Sequence, residues 1–251
     1  MQHKKRKNIL IVLGVLVLIL AIATSTFGYL SDAYEPQRPA IEALQSTNDV
    51  TVIQGESYIS FEPKEHNFDS GLIFYQGGKV EEEAYAPLMK SLAEKGISVY
   101  LVRMPFNLAV FNSDAAEEVI KDHEEISNWY LSGHSLGGVM AASFAEKQAE
   151  EFEGIIFLAS YPAGEFSASS LDILSIYGSN DEVLNGGAYT ESFNQVLNEQ
   201  EKIIEGGNHA QFGNYGPQKG DGSATITTGE QQQITVDAII YFIEETVKNN
   251  V

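Results

Sequence analysis

At 251 residues, with 43% hydrophobic content, the chain is long enough for one large core and short for two domains. Its 35 acidic residues against 15 basic ones give a formal charge of −20, a field that repels nucleic acid and anionic lipid headgroups and so excludes nucleic acid as an expected partner. There is no cysteine, which excludes disulfides, a thiol nucleophile and thiolate metal sites.

Residues 1–7 form a basic end carrying Lys4, Lys5, Arg6 and Lys7 and no acid. Residues 8–30 follow, apolar without interruption from Ile9 to Ala23 and milder up to Leu30. That length matches the roughly twenty residues a helix needs to cross the hydrocarbon of a bilayer. The run is apolar on every face, unlike the one-sided helices of a globular surface. The pattern predicts one N-terminal transmembrane helix acting as a signal-anchor. The basic end stays cytoplasmic and everything after Leu30 is extracytoplasmic, at the cell membrane. Ala21 and Ala23, in A-x-A spacing, also suit a cleaved signal peptide, so secretion after cleavage is the alternative.

Residues 31–48, with Pro36 and Pro39, read as a linker containing a short helix around Ile41 to Leu44, and residues 49–251 as one folded domain. Within it, strand-like runs occur at Val50–Ile53, Tyr58–Phe61, Gly71–Tyr75, Ile97–Val102, Asn128–Leu131, Gly154–Ala159, Ile173–Tyr177 and Lys202–Ile204. Helical spacing appears between several of them, in Val80–Lys95 and Leu136–Glu150. A last helix is expected after Thr227, whose T-x-x-E with Glu230 is a capping-box pattern. Strands alternating with helices imply a mostly parallel sheet covered on both faces. The first two strands, joined through Gly55, read as an antiparallel hairpin. The glycine-rich stretch Gln211–Thr225 is the one long irregular segment, of a length that is usually functional or mobile.

Gly133-His134-Ser135-Leu136-Gly137 stands between a strand and a small-residue helical pattern. In that context G-x-S-x-G predicts a sharp turn that pushes the Ser135 hydroxyl over the sheet edge, in a backbone too crowded for side chains on either side. The Leu136 amide, at the helix start, would face developing negative charge. A serine hydroxyl needs a base, and in this topology the acid and then the base follow it in the chain. Only His209 follows Ser135; His3, His66, His123 and His134 precede it. Asp181, just after the strand Ile173–Tyr177, is the candidate acid, with Glu182 beside it as the runner-up and Asp172 at the wrong end of that strand. The second oxyanion donor is expected after the third strand, in Gln76-Gly77-Gly78-Lys79, at the amide of Gly78, with Gly77 and Lys79 next.

These motifs together, the paired glycines, Gly-His-Ser-Leu-Gly-Gly, the Gly-x-x-Asp turn and Gly-Gly-Asn-His-Ala, resemble the α/β-hydrolase superfamily over residues 50 to 250. Phe74-Tyr75-Gln76-Gly77-Gly78-Lys79-Val80 with Arg103-Met104-Pro105-Phe106-Asn107-Leu108-Ala109 is similar to a bacterial branch of small hydrolases near the dienelactone-hydrolase-like members. The resemblance implies an α/β-hydrolase fold on an eight-stranded sheet, an acyl-enzyme mechanism and no cofactor. Two features depart from it. The lipase-type His-Gly before the oxyanion loop is Gln76-Gly77, and the short interval between Ala159 and Ile173 leaves no room for a large lid domain. Tyr161-Pro162, Met104–Leu108 and Gln211–Thr225 are then expected to wall the pocket.

The expectation is therefore a membrane-anchored serine hydrolase with the triad Ser135, Asp181 and His209, oxyanion donors among Leu136, Gly78 and Gly77, and a carboxylic ester or related acyl compound as its small-molecule substrate. An acyltransferase using the same triad is one rival, and an anchored binding module with a dead site is another. Metal-dependent hydrolysis is disfavoured, because no two histidines lie at ligand spacing.

Overall fold

The computed structural model describes Leu20, Thr24, Gly28 and residues 32–163, 166, 171–193 and 199–249. It divides into two units, residues 1–33 and 34–251. In the first, Leu20, Thr24 and Gly28 are helical and exposed, with the Thr24 hydroxyl donating to the Leu20 carbonyl at 3.0 Å. The expected transmembrane helix lies otherwise outside the described residues, among which no helix is long and apolar enough to cross a membrane.

The second unit holds one sheet of eight strands: β1 (Val50–Gln54), β2 (Tyr58–Pro63), β3 (Ser70–Tyr75), β4 (Ser98–Val102), β5 (Asn128–His134), β6 (Gly154–Leu158), β7 (Asp172–Gly178) and β8 (Glu199–Ile204). Their order is β1-β2-β4-β3-β5-β6-β7-β8. β1 pairs with β2, and β2 with β4, antiparallel; all later pairs are parallel. Each expected strand is present, and the hairpin turns at Gly55, whose amide donates to the Tyr58 carbonyl at 2.9 Å.

The six α-helices among the described residues of this unit are α1 (Arg38–Ala43), α2 (Ala86–Ala93), α3 (Ala116–Asp122), α4 (Leu136–Ala145), α5 (Gly186–Phe193) and α6 (Thr228–Asn249). They explain why the central strands are apolar without alternation. Leu72 and Phe74 of β3 point to one face, where Leu88, Met89 and Leu92 of α2 and Val236, Ile239 and Phe242 of α6 close a core. Ile73 and Tyr75 point to the other, against Val119 of α3 and Ala141 and Phe144 of α4. Every residue of β3 is buried as a result, and each large apolar side chain so placed contributes roughly 1.5–3 kcal/mol. α6 begins with the capping box read from the sequence. Thr227 Oγ1 accepts from the Glu230 amide at 3.2 Å, and Glu230 Oε2 accepts from the Thr227 amide at 2.7 Å.

The compact unit starts at Tyr34, ahead of the boundary expected at residue 49. Pro39 falls in the first turn of α1, where a missing N–H costs nothing, and Ala40 and Leu44 are buried. Tyr34 forms an isolated parallel bridge with Val80.

Candidate active site

β5 and α4 meet at Ser135, whose backbone sits at φ 50°, ψ −123°, outside the regions an L-residue favours. The surrounding glycines are obligatory for steric reasons. A Cβ on Gly133 would stand 2.5 Å from the Gly137 carbonyl carbon, and one on Gly137 would stand 2.3 Å from the carbonyl oxygens of Tyr75 and Gln76. The turn is thereby wedged against the end of β3. It is held by the Ser135 amide donating to the Leu158 carbonyl at 3.0 Å and by the Ser160 hydroxyl donating to the Ser135 carbonyl at 2.6 Å.

The loops after β7 and β8 bring Asp181 and His209 together. His209 Nδ1 lies 2.8 Å from Asp181 Oδ2, and both side chains are 1% exposed. The other Asp181 oxygen accepts from the amides of Val183 and Leu184, each at 2.8 Å, so the carboxylate is aimed before the histidine meets it. Glu182, exposed, makes no hydrogen bond to His209. His209 Nε2 is buried with no hydrogen-bond partner among the described residues.

The His209 backbone is clamped by residues that the sequence reading passed over. Asp221 accepts from the His209 amide at 3.2 Å and from the Ala210 amide at 2.9 Å. Gln231 of α6, fully buried, pairs with both backbone groups of Asn208: its Oε1 accepts at 2.9 Å and its Nε2 donates at 2.8 Å. The glycine-rich segment containing Asp221 is tied down at several points. The Gly222 carbonyl accepts from Asn208 Nδ2 at 2.8 Å, and the Ser223 carbonyl accepts from Asn180 Nδ2 at 2.9 Å. An aspartate inside a run of glycines is the one signal in the sequence that marks this clamp.

His134, excluded as the base by its position before Ser135, still takes part in the arrangement. Its ring centroid is 4.5 Å from that of His209, and its Nδ1 is 2.8 Å from the Tyr85 hydroxyl. That hydroxyl also accepts from the Gly77 amide at 3.1 Å. Burial pushes the Tyr85 phenol up, so it keeps its proton and donates it to Nδ1. Burial first, and the neighbouring His209 second, hold His134 well below the ordinary imidazole value. The two histidine rings are therefore in contact, and His134 is held neutral.

The expected oxyanion amides divide into engaged and open ones. Gly77 donates to Tyr85 and Lys79 donates to the Asn107 carbonyl at 2.7 Å. The amides of Gly78 and Leu136 donate to no group among the described residues. The two residues are neighbours: a Cβ on Gly78 would be 2.9 Å from Leu136 Cδ2.

Among the described residues no group of three or more His, Cys, Asp or Glu side chains is placed to hold a metal ion. A cavity of about 740 Å³ lies elsewhere, lined by Tyr58, Glu62, Tyr100, His123 and Glu125 among others. Both His123 nitrogens there are committed, to Tyr58 and to Glu125, and no activated nucleophile adjoins them.

A strand-turn-helix with a strained serine, followed in the chain by a buried aspartate–histidine pair, defines a class as well as a fold. The chain belongs to the alpha/beta hydrolase family, which matches residues 71–233, from β3 into α6. No curated protein matches it in sequence. Among solved structures it is similar to a hydrolase described as CIB-like from Thermoplasma acidophilum, at 17% identity and a TM-score of 0.51, covering 76% of this chain and 96% of that one. It is also similar to an inhibited esterase B from Lactobacillus rhamnosis, at 12% identity and a TM-score of 0.57, covering 94% of this chain and 99% of that one. At such identities the likeness concerns the fold.

Proposed function

We propose that this protein is a serine hydrolase that cleaves a carboxylic ester or related acyl substrate through Ser135, His209 and Asp181. The observation that carries the reading is the buried 2.8 Å contact between Asp181 and His209, which leaves Nε2 without a partner among the described residues, on a ring 4.5 Å from that of His134, the residue before Ser135. Asp181 keeps the imidazole proton on Nδ1, so that Nε2 can take the proton of the Ser135 hydroxyl as its oxygen attacks the acyl carbon. The negative charge of the tetrahedral intermediate falls on the acyl oxygen, between the open amides of Gly78 and Leu136. His209 then returns the proton to the departing alcohol. Water, deprotonated by the same nitrogen, releases the acid and restores Ser135. The family match, and the esterase named among the structural neighbours, agree with such chemistry.

A fluorophosphonate probe on the full-length protein tests this directly. The expected result is one adduct per chain, located on Ser135 by peptide mass. A folded protein that stays unlabelled, or carries the adduct elsewhere, would sink the proposal and favour a binding module.

The reading extends to location. The basic residues 4–7 followed by the apolar run to Leu30 support a single-pass anchor with the hydrolase outside the cytoplasm. Protease added to intact cells is expected to degrade the folded unit, and its survival until the cells are lysed would count against that placement.

A further inference from the structure

Between β4 and α3 the chain makes two 3₁₀ turns, Pro105–Asn107 and Ala109–Phe111. Three large apolar side chains there face solvent: Phe106 is 51% exposed, Val110 48% and Phe111 54%. Exposed apolar residues are ordinary when they stand singly. Three within six positions, with the Phe106 and Phe111 rings edge to face at 5.7 Å, form a patch that needs an occupant.

The backbone holds this patch where it is. Phe106 (φ 56°, ψ 24°) and Asn107 (φ 55°) are consecutive non-glycine residues in the left-handed region, which persists only where surroundings impose it. The imposing contacts come from the loop that carries Gly78. Asn107 Oδ1 accepts from the fully buried Gln76 side chain at 3.1 Å, and the Asn107 carbonyl accepts from the Lys79 amide at 2.7 Å. Leu108 continues the apolar surface inward: its Cδ2 lies 3.6 Å from the point a Gly78 Cβ would occupy, where Leu136 also packs. The second 3₁₀ turn rests against α4, the helix that starts beside Ser135.

We infer that this lip, Phe106, Val110 and Phe111 running into Leu108, is the subsite for a hydrocarbon chain, and that the substrates are esters of medium- to long-chain acids. The inference rests on the Ser135 hydrolase reading. With the acyl oxygen between the Gly78 and Leu136 amides, Leu108 borders the reacting carbon and the phenylalanines lie further out along one apolar path. The net charge of −20 argues against an anionic membrane surface as the occupant. Continuity with the open amides favours the substrate over a second copy of the chain.

The test is the chain-length profile of the full-length protein, at one fixed detergent concentration, on nitrophenyl esters from acetate to decanoate. Each buried methylene is worth roughly a fourfold gain in binding, so kcat/KM is expected to rise at least tenfold from acetate to octanoate. In Phe106→Ser/Phe111→Ser the octanoate-to-acetate ratio is expected to fall at least tenfold. In Phe106→Leu/Phe111→Leu, which keeps apolar area and guards against a folding artefact, most of the ratio is expected to survive. A flat profile with acetate still turned over would overturn the subsite and leave the hydrolase reading standing. So would a serine variant with an unchanged ratio, or one that alters sedimentation without altering the ratio. No turnover of any ester, with no probe labelling, removes both.

Discussion

Replacing Ser135 with glycine is expected to lower kcat on the order of a millionfold and, in the same protein, to raise the unfolding temperature. The two effects have one origin. Ser135 sits at φ 50°, ψ −123°, a conformation that costs a side-chain-bearing residue roughly 1–3 kcal/mol. Glycine adopts it freely, although it gives back about 0.5–1 kcal/mol in unfolded-chain entropy. The Ser135 hydroxyl makes no hydrogen bond among the described residues, so its removal forfeits none there, and the Ser160 bond to the Ser135 carbonyl is kept. A net gain of about 1 kcal/mol corresponds to a rise of about 2–4 °C for a domain of this size. Ser135→Ala keeps the strained backbone, so it should lose activity equally without gaining stability. Calorimetry beside single-turnover kinetics separates the two. A glycine variant that melts several degrees lower, or that still turns over, contradicts the account.

Asp181→Asn is expected to cost about four orders of magnitude in kcat while the protein stays folded. Asp181 Oδ1 receives two amides and Oδ2 receives Nδ1–H of His209, so both carboxylate oxygens are engaged in a pair of side chains 1% exposed. An asparagine that keeps its oxygen on the two amides turns its NH₂ toward Nδ1. The imidazole must then carry its proton on Nε2, the nitrogen meant to accept one from Ser135. If the amide flips instead, the Val183 and Leu184 N–H groups lose their acceptor. Glu182→Gln, at the exposed neighbour, is expected to stay within about twofold, as for most surface changes. Activity of the Asp181 variant within tenfold of wild type, or a larger loss at Glu182, would show that the acid had been misassigned.

The sheet was legible because parallel strands buried on both faces leave unbroken apolar runs, as in Gly71–Tyr75, bounded by polar turns. The Asp181–His209 pair was legible because the fold places base and acid after the serine and the sequence has only one histidine there. Helices α3 and α5 were missed: the first is a mixed segment of seven residues, and the second opens on two glycines, so neither carries a strong periodic signal. Pro36 and Pro39 pointed to a linker, although proline is at home in the first turn of a helix. The support around the histidine was also hidden. Tyr85, Asp221 and Gln231 look like ordinary surface residues in the sequence, and only the fold brings them to Gly77, His209 and Asn208. Such partners are distant in the chain and unspecific in type, and apart from the glycines flanking Asp221 no local pattern announces them.

The clasp at Tyr34 has a mechanical meaning. Its amide donates to the Lys79 carbonyl at 2.7 Å, its carbonyl accepts from Glu81 at 3.1 Å, and its hydroxyl accepts from the Lys219 amide at 3.1 Å. Gln37 adds a bond from its amide to the Asn214 carbonyl at 2.7 Å. The folded unit thus begins by stapling two loops of the candidate site, the one bearing Gly78 and the one bearing Asp221. Tension arriving along the chain at residue 33 is delivered to those loops ahead of any strand of the sheet. A version of the protein trimmed to its first strand would lose that brace, and with it the tether on the loop that carries the open Gly78 amide.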